Sequence, residues 1–111
     1  MRIRFKETRL SGGREFDSAF AGRKFVTGNL VFYFADSGLE CSRLGIIAGK
    51  RILAKAVSRN RFKRRARALF RENLDRLKGL DVVVIARKGE RLESYQALKK
   101  CFESFVRSIG G

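Results

Sequence analysis

The stretch SRNRFKRRARALFREN, Ser58–Asn73, holds six arginines and one lysine, and its only acid is Glu72. Phe62, Ala66, Leu69 and Phe70 are threaded through that charge. At about 100° per residue from Phe62, these four and Leu77 fall between about −20° and 80° on a helical wheel. Asn60, Arg64, Arg67 and Arg71 fall between about 140° and 200°, and Arg61 lies near 260°. The period predicts a helix over about residues 56–77. One stripe of it packs, and a mostly guanidinium ridge roughly 16 Å long faces away. Arg59, at about 60°, lies on the packed side, where it either fans across the neighbouring loop or bonds to backbone carbonyls.

Outward from this helix the pattern changes period. LDVVVIARKG follows it, and the continuous apolar run Val82–Ala86 is too short for a helix and suits a strand buried on both faces. Before it, CSRLGIIAG, Cys41–Gly49, reads as a strand joined to its predecessor by a short hairpin-like connection. Further upstream, KFVTGNLVFYFADSG is aromatic and β-branched and is interrupted at Thr27-Gly28-Asn29, which gives one long bent strand or two. LSGGREFDSAFAG predicts a first helix over about residues 13–21, with Ser11 as cap and Gly22 as terminator. In SYQALKKCFESFVRSIGG, Leu98, Cys101, Phe102, Phe105, Val106 and Ile109 trace one face of a last helix, closed by the terminal glycines.

The order α-β-β-β-α-β-α, with helices covering a mixed sheet of about four strands, predicts an α/β (α+β) two-layer sandwich with three helices. At 111 residues, with no proline and no linker or repeat, the chain reads as a single domain over residues 1–111.

The charge asks for a partner. Twenty-six basic against eleven acidic residues leave a net charge of +15, which repels itself unless a polyanion neutralises it. Between Cys41 and Glu72 no acid appears, while Arg43, Lys50, Arg51, Lys55 and Lys63 add to the helix. A merely solvated face normally mixes signs in i, i+4 pairs. Arginine's planar fork gives two parallel hydrogen bonds to phosphate, so nucleic acid is the expected partner. No apolar run is long enough to span a membrane and the N-terminus lacks the apolar stretch of a signal peptide, so a cytoplasmic protein without a membrane partner is expected. Cys41 and Cys101, far apart and without histidine, read as small buried hydrophobes.

AVSRNRFKRRARALF, Ala56–Phe70, resembles the signature of the bacterial ribonuclease P protein subunit, an Arg-Asn-Arg run followed by Lys-Arg on a helix. EFDSAF, LVFYF, RLGIIAGKR, DVVVIARKG and the closing amphipathic helix are similar to that family's other elements, in the same order. The resemblance implies a left-handed crossover around the basic helix, where the general rule is a right-handed one. It implies a cofactor of a catalytic RNA that cuts the 5′ leader from precursor tRNA, with magnesium held by the RNA and no small-molecule substrate. By the same resemblance, Arg59, Asn60, Arg61, Lys63, Arg64 and Arg67, with Lys50 and Arg51 beside them, face the RNA subunit, and Arg71, on the same ridge of the helix, is expected to join them. Phe16, Phe20 and Tyr33 match a cleft that holds the single-stranded leader; the helical spacing of Phe16 and Phe20 equally suits core packing. Where many relatives read Lys-Lys-x-Gly-x-Ala, this chain has KRILAKA, one residue longer and without glycine.

The chain has no histidine, scattered carboxylates and no phosphate-binding glycine loop, so neither a catalytic nor a metal site is expected on the polypeptide. The competing reading is a non-enzymatic basic RNA-binding structural protein, such as a small ribosomal protein.

Overall fold

The computed structural model describes residues 13–38, 42–87 and 90–109. Its organising element is the apolar strand β4, Leu80–Ala86, in which only Ile85 is less than fully buried. A strand buried on both faces needs neighbours on both edges. β4 pairs antiparallel with β2, Leu30–Asp36, and parallel with β3, Arg43–Ile47. β1, Arg23–Thr27, completes a mixed sheet in the order β1-β2-β4-β3.

The hairpin-like connection expected before β3 is not formed, because β4 lies between β2 and β3. β3 instead reaches β4 through the basic helix α2, Ala56–Glu72, and this is the crossover to which the resemblance assigns a left hand. The stretch Lys24–Gly38 resolves into two strands, since Thr27 pairs with Leu30 across a two-residue turn. Gly28 opens that turn with φ of 53°, the left-handed conformation a type II′ turn requires at its first central position.

Side chains alternate across the sheet. Leu30, Phe32 and Phe34 of β2 and Val82, Val84 and Ala86 of β4 enter the main core with Leu44. α2 closes that core with Phe62, Ala66, Leu69 and Phe70, and α4, Tyr95–Ile109, closes it with Leu98, Phe102, Phe105 and Val106. Phe32 stacks on Phe105 with centroids 4.2 Å apart and meets Phe102 edge-on at 5.1 Å. Each buried phenylalanine contributes about 1.5–3 kcal/mol through lost apolar hydration.

The helix expected to run on to Leu77 is interrupted at Asn73, whose side-chain Nδ2 donates to the Leu69 carbonyl at 2.8 Å. A short helix α3, Leu74–Leu77, follows and still buries Leu77. A 3-10 turn, Glu90–Glu93, precedes α4.

The first helix, α1, Gly13–Phe20, lies on the other face of the sheet, with Ala19 packed on Val83. Gly22 allows that placement: a Cβ there would lie 2.3 Å from the Phe34 carbonyl oxygen, so the link from α1 into β1 runs directly against β2. Cys101 is half-buried, with its Sγ 3.5 Å from the Thr27 carbonyl. Ser11, Cys41 and the terminal Gly110 and Gly111 lie outside the described residues.

Candidate nucleic-acid interface

α2 divides as its sequence predicts. Phe62, Ala66, Leu69 and Phe70 are buried, Asn60, Arg64 and Arg71 are exposed, and Arg67 and Lys63 are half-buried. Arg67 and Arg71 each keep a contact within the protein as well. Arg61 reaches Glu93 at 3.5 Å, an exposed pair of the kind worth at most about 1 kcal/mol. Arg65, which the sequence reading did not single out, donates to the Glu93 carbonyl at 2.8 Å and lies over the Tyr95 ring at 5.9 Å. Its wheel angle, about 300°, falls between ridge and stripe, and nothing in the local pattern marks Glu93 as its partner.

Arg59 adopts the second of its two readings. One of its terminal nitrogens, Nη1, donates to the carbonyls of Leu53 and Ala54, both at 2.9 Å. Beside it, Lys50, Arg51 and Lys55 are exposed, and none of the three forms an ion pair among the described residues. Lys55 caps α2 without a side-chain hydrogen bond, and the first turn carries no acid. The positive end of the helix dipole thus coincides with three lysine and arginine side chains.

The second surface is aromatic. Phe20 is 37% exposed and meets Tyr33 edge-on at 5.0 Å, with Phe16 6.5 Å away. Phe16 and Tyr33 are half-buried against the small cluster of Ala19 and Val83, apart from the main core. Between core and cleft, Ala19 takes the buried position and Phe20 opens to solvent. Lys24 stands over the Tyr33 ring at 5.7 Å, and Val26 and Ile47 on the same face are also exposed. Such an arrangement offers ring faces to unpaired bases and a cation to the strand that carries them.

On this face Arg43 and Asp81, partners in the parallel register, form a two-pronged ion pair. Nε and Nη2 each lie 2.8 Å from a carboxylate oxygen, and the Asp81 side chain is 3% exposed. Sequence reasoning counted Arg43 with the general charge and Asp81 among scattered acids. Only the pairing of β3 with β4 brings them together.

Among the described residues no three carboxylate, thiol or imidazole groups gather where a metal ion would sit. Among them, too, no helix is long and apolar enough to cross a membrane.

Comparison with known proteins adds a family. A family profile described as Ribonuclease P matches residues 5–110. The "Ribonuclease P protein component" of Pseudomonas entomophila is 38% identical over 109 residues, covering 93% of this chain and 82% of the relative. That of Pseudomonas aeruginosa PAO1 is 39% identical over 111 residues, covering 93% and 81%. The solved RNase P protein from Thermotoga maritima superposes with a TM-score of 0.77 at 31% identity, covering 93% of this chain and 98% of that one. The Staphylococcus aureus RNase P protein gives 0.76 at 23% identity over 93% and 94%, a likeness of fold.

Proposed function

The chain belongs to the ribonuclease P protein family, protein components of a ribonucleoprotein endoribonuclease, and from that premise we propose how its two surfaces divide the work. The outer face of α2 docks the catalytic RNA, and the aromatic face beneath α1 holds the single-stranded 5′ leader of precursor tRNA. The observation that carries this reading is the separation itself. The arginine ridge lies on α2, against one face of the sheet, and Phe16, Phe20 and Tyr33, of which Phe20 is exposed and the other two half-buried, lie on α1 and β2 at the opposite face, so one protein can touch two nucleic-acid segments at once.

In this reading Asn60, Arg61, Lys63, Arg64, Arg67 and Arg71, with Lys50 and Arg51, neutralise phosphates and allow folded RNA to approach. Guanidinium forks bond paired phosphate oxygens, and the dipole at the start of α2 adds to the same potential. Phe16, Phe20 and Tyr33 supply faces that stack on unpaired bases whatever their identity. Hydrolysis belongs to the RNA with its magnesium ions; the polypeptide's part is to bind and position.

Reconstitution tests the division. The purified protein, added to a bacterial ribonuclease P RNA and a precursor tRNA at low magnesium, is expected to raise leader cleavage. Arg64→Ala weakens assembly with the RNA for substrates with and without a leader alike. Phe20→Ala leaves assembly intact and weakens only the leader-bearing substrate. No stimulation by the wild-type protein would overturn the proposed docking of α2 on the catalytic RNA. A Phe20→Ala effect equal on both substrates would remove the leader from the cleft.

A further inference from the structure

The first cation of the arginine-rich helix is turned away from the others. We propose that Arg59 is a positioning residue: it fixes the loop between β3 and α2 so that Lys50, Arg51 and Lys55 stand ready for phosphate, and it is not itself a phosphate ligand. The proposal rests on the RNA-binding reading of α2 given above.

Two anchors hold this loop. At its start the Gly49 carbonyl accepts from the amides of both Ile52 and Leu53 at 3.0 Å. At its end Arg59 Nη1 binds the Leu53 and Ala54 carbonyls. Leu53 between them is buried, and the Arg59 amide returns to the Lys55 carbonyl at 3.1 Å. Lys50 and Arg51 project from the turn spanned by the first anchor, and Lys55 lies just beyond the second.

No glycine stands between Lys50 and Lys55, so the loop's path comes from these bonds and not from a residue with special backbone freedom. A guanidinium in the first turn of a helix also faces the positive end of the dipole, a position disfavoured unless something offsets it. Two carbonyl dipoles do so here, and they commit Nη1. A cationic loop ordered before RNA arrives does not charge its ordering entropy to the binding step.

The test combines a mutant cycle with hydrogen exchange on the full chain. Affinity for a bacterial ribonuclease P RNA is measured against salt for wild type, Arg59→Ala, the loop triple Lys50→Ala/Arg51→Ala/Lys55→Ala, and their combination. Amide exchange in the free protein is read at Ile52 and Leu53, with Val84 as the control for the fold.

The expected result is faster exchange at Ile52 and Leu53 with Val84 still protected. Arg59→Ala should flatten the salt slope by about two phosphates' worth, more than its own charge accounts for. The combined variant should bind within about twofold of the loop triple alone. Additive losses, a slope change of one phosphate or less, or unchanged exchange at Ile52 and Leu53 would overturn the proposal. A flat wild-type slope would instead overturn the RNA-binding reading, while exchange still reports on the anchor. If Arg59→Ala also releases Val84, Arg59→Gln replaces it in the same cycle with the same criteria.

Discussion

Two clusters of aromatic rings occupy the two faces of one sheet, and they are built from the same residue types. On the α2/α4 face, Phe32, Phe34, Phe102 and Phe105 lie within 5.2 Å of a ring neighbour, and none is more than 6% exposed. On the α1 face, Phe20 lies 5.0 Å from Tyr33 and 6.5 Å from Phe16, and only Ala19 and Val83 in their cluster are sealed. Ring chemistry is shared, so the difference lies in the covering helices. Two long helices close one face, whereas the eight-residue α1 crosses the other and leaves Val26 and Ile47 exposed at its flanks. One cluster holds the fold together, and the other is left open to solvent.

The largest effect on stability is expected in the closed cluster. Phe105→Ala removes the ring stacked on Phe32 and leaves a cavity, costing about 3–5 kcal/mol. For a domain of this size the melting temperature falls by on the order of 15 °C, which thermal unfolding in the presence of sulfate would measure. A loss below about 1 kcal/mol would mean the two clusters do not differ as described.

Next comes the polar fastening of the open face. Arg43→Ala strips the guanidinium from a carboxylate that is 3% exposed, at a cost of about 3 kcal/mol. That is the low end for a broken buried pair, because Arg43 itself remains 19% exposed. Replacing both partners, Arg43→Met with Asp81→Leu, should recover most of the loss, since apolar substitutes leave no charge unpaired. An Arg43→Ala unfolding free energy equal to that of wild type would show that Asp81 finds water or another partner. The open face would then owe nothing to the pair.

Sequence made these regions legible to different depths. The α2 stripe was readable because a 3.6-residue period is a local property, and Phe62, Ala66, Leu69 and Phe70 are all buried. Val82–Ala86 announced a strand covered on both faces by its unbroken apolar run. Strand order was not readable in the same way. β2 and β3 are sequence neighbours, and only the demand of β4 for two edges drives them apart. The break at Asn73 escaped the wheel because α3 resumes after one residue and keeps Leu77 on the stripe. The contacts of Arg43, Arg61 and Arg65 reach across 38, 32 and 28 positions, and no local periodicity encodes separations of that length.

The smallest effect on stability is expected at Phe20, and that is where the comparison becomes functional. Phe20 contributes one edge-on contact to Tyr33 and is 37% exposed, so Phe20→Ala should cost about 1 kcal/mol or less. The same ring stacked on a leader base is worth about 1–3 kcal/mol, or roughly 5- to 150-fold in affinity. Measured as the affinity ratio of the holoenzyme for precursor tRNA with and without its leader, the variant should lose most of the leader's contribution while its melting temperature hardly moves. Phe105→Ala, assayed with enough RNA to keep it folded, should show the reverse. A Phe20→Ala protein that loses several kcal/mol of stability and keeps its leader preference would make the α1 cluster a second core. A closed cluster of rings makes its contacts with neighbours already present, and an open one leaves a ring accessible, which is what the proposed stacking on a leader base requires.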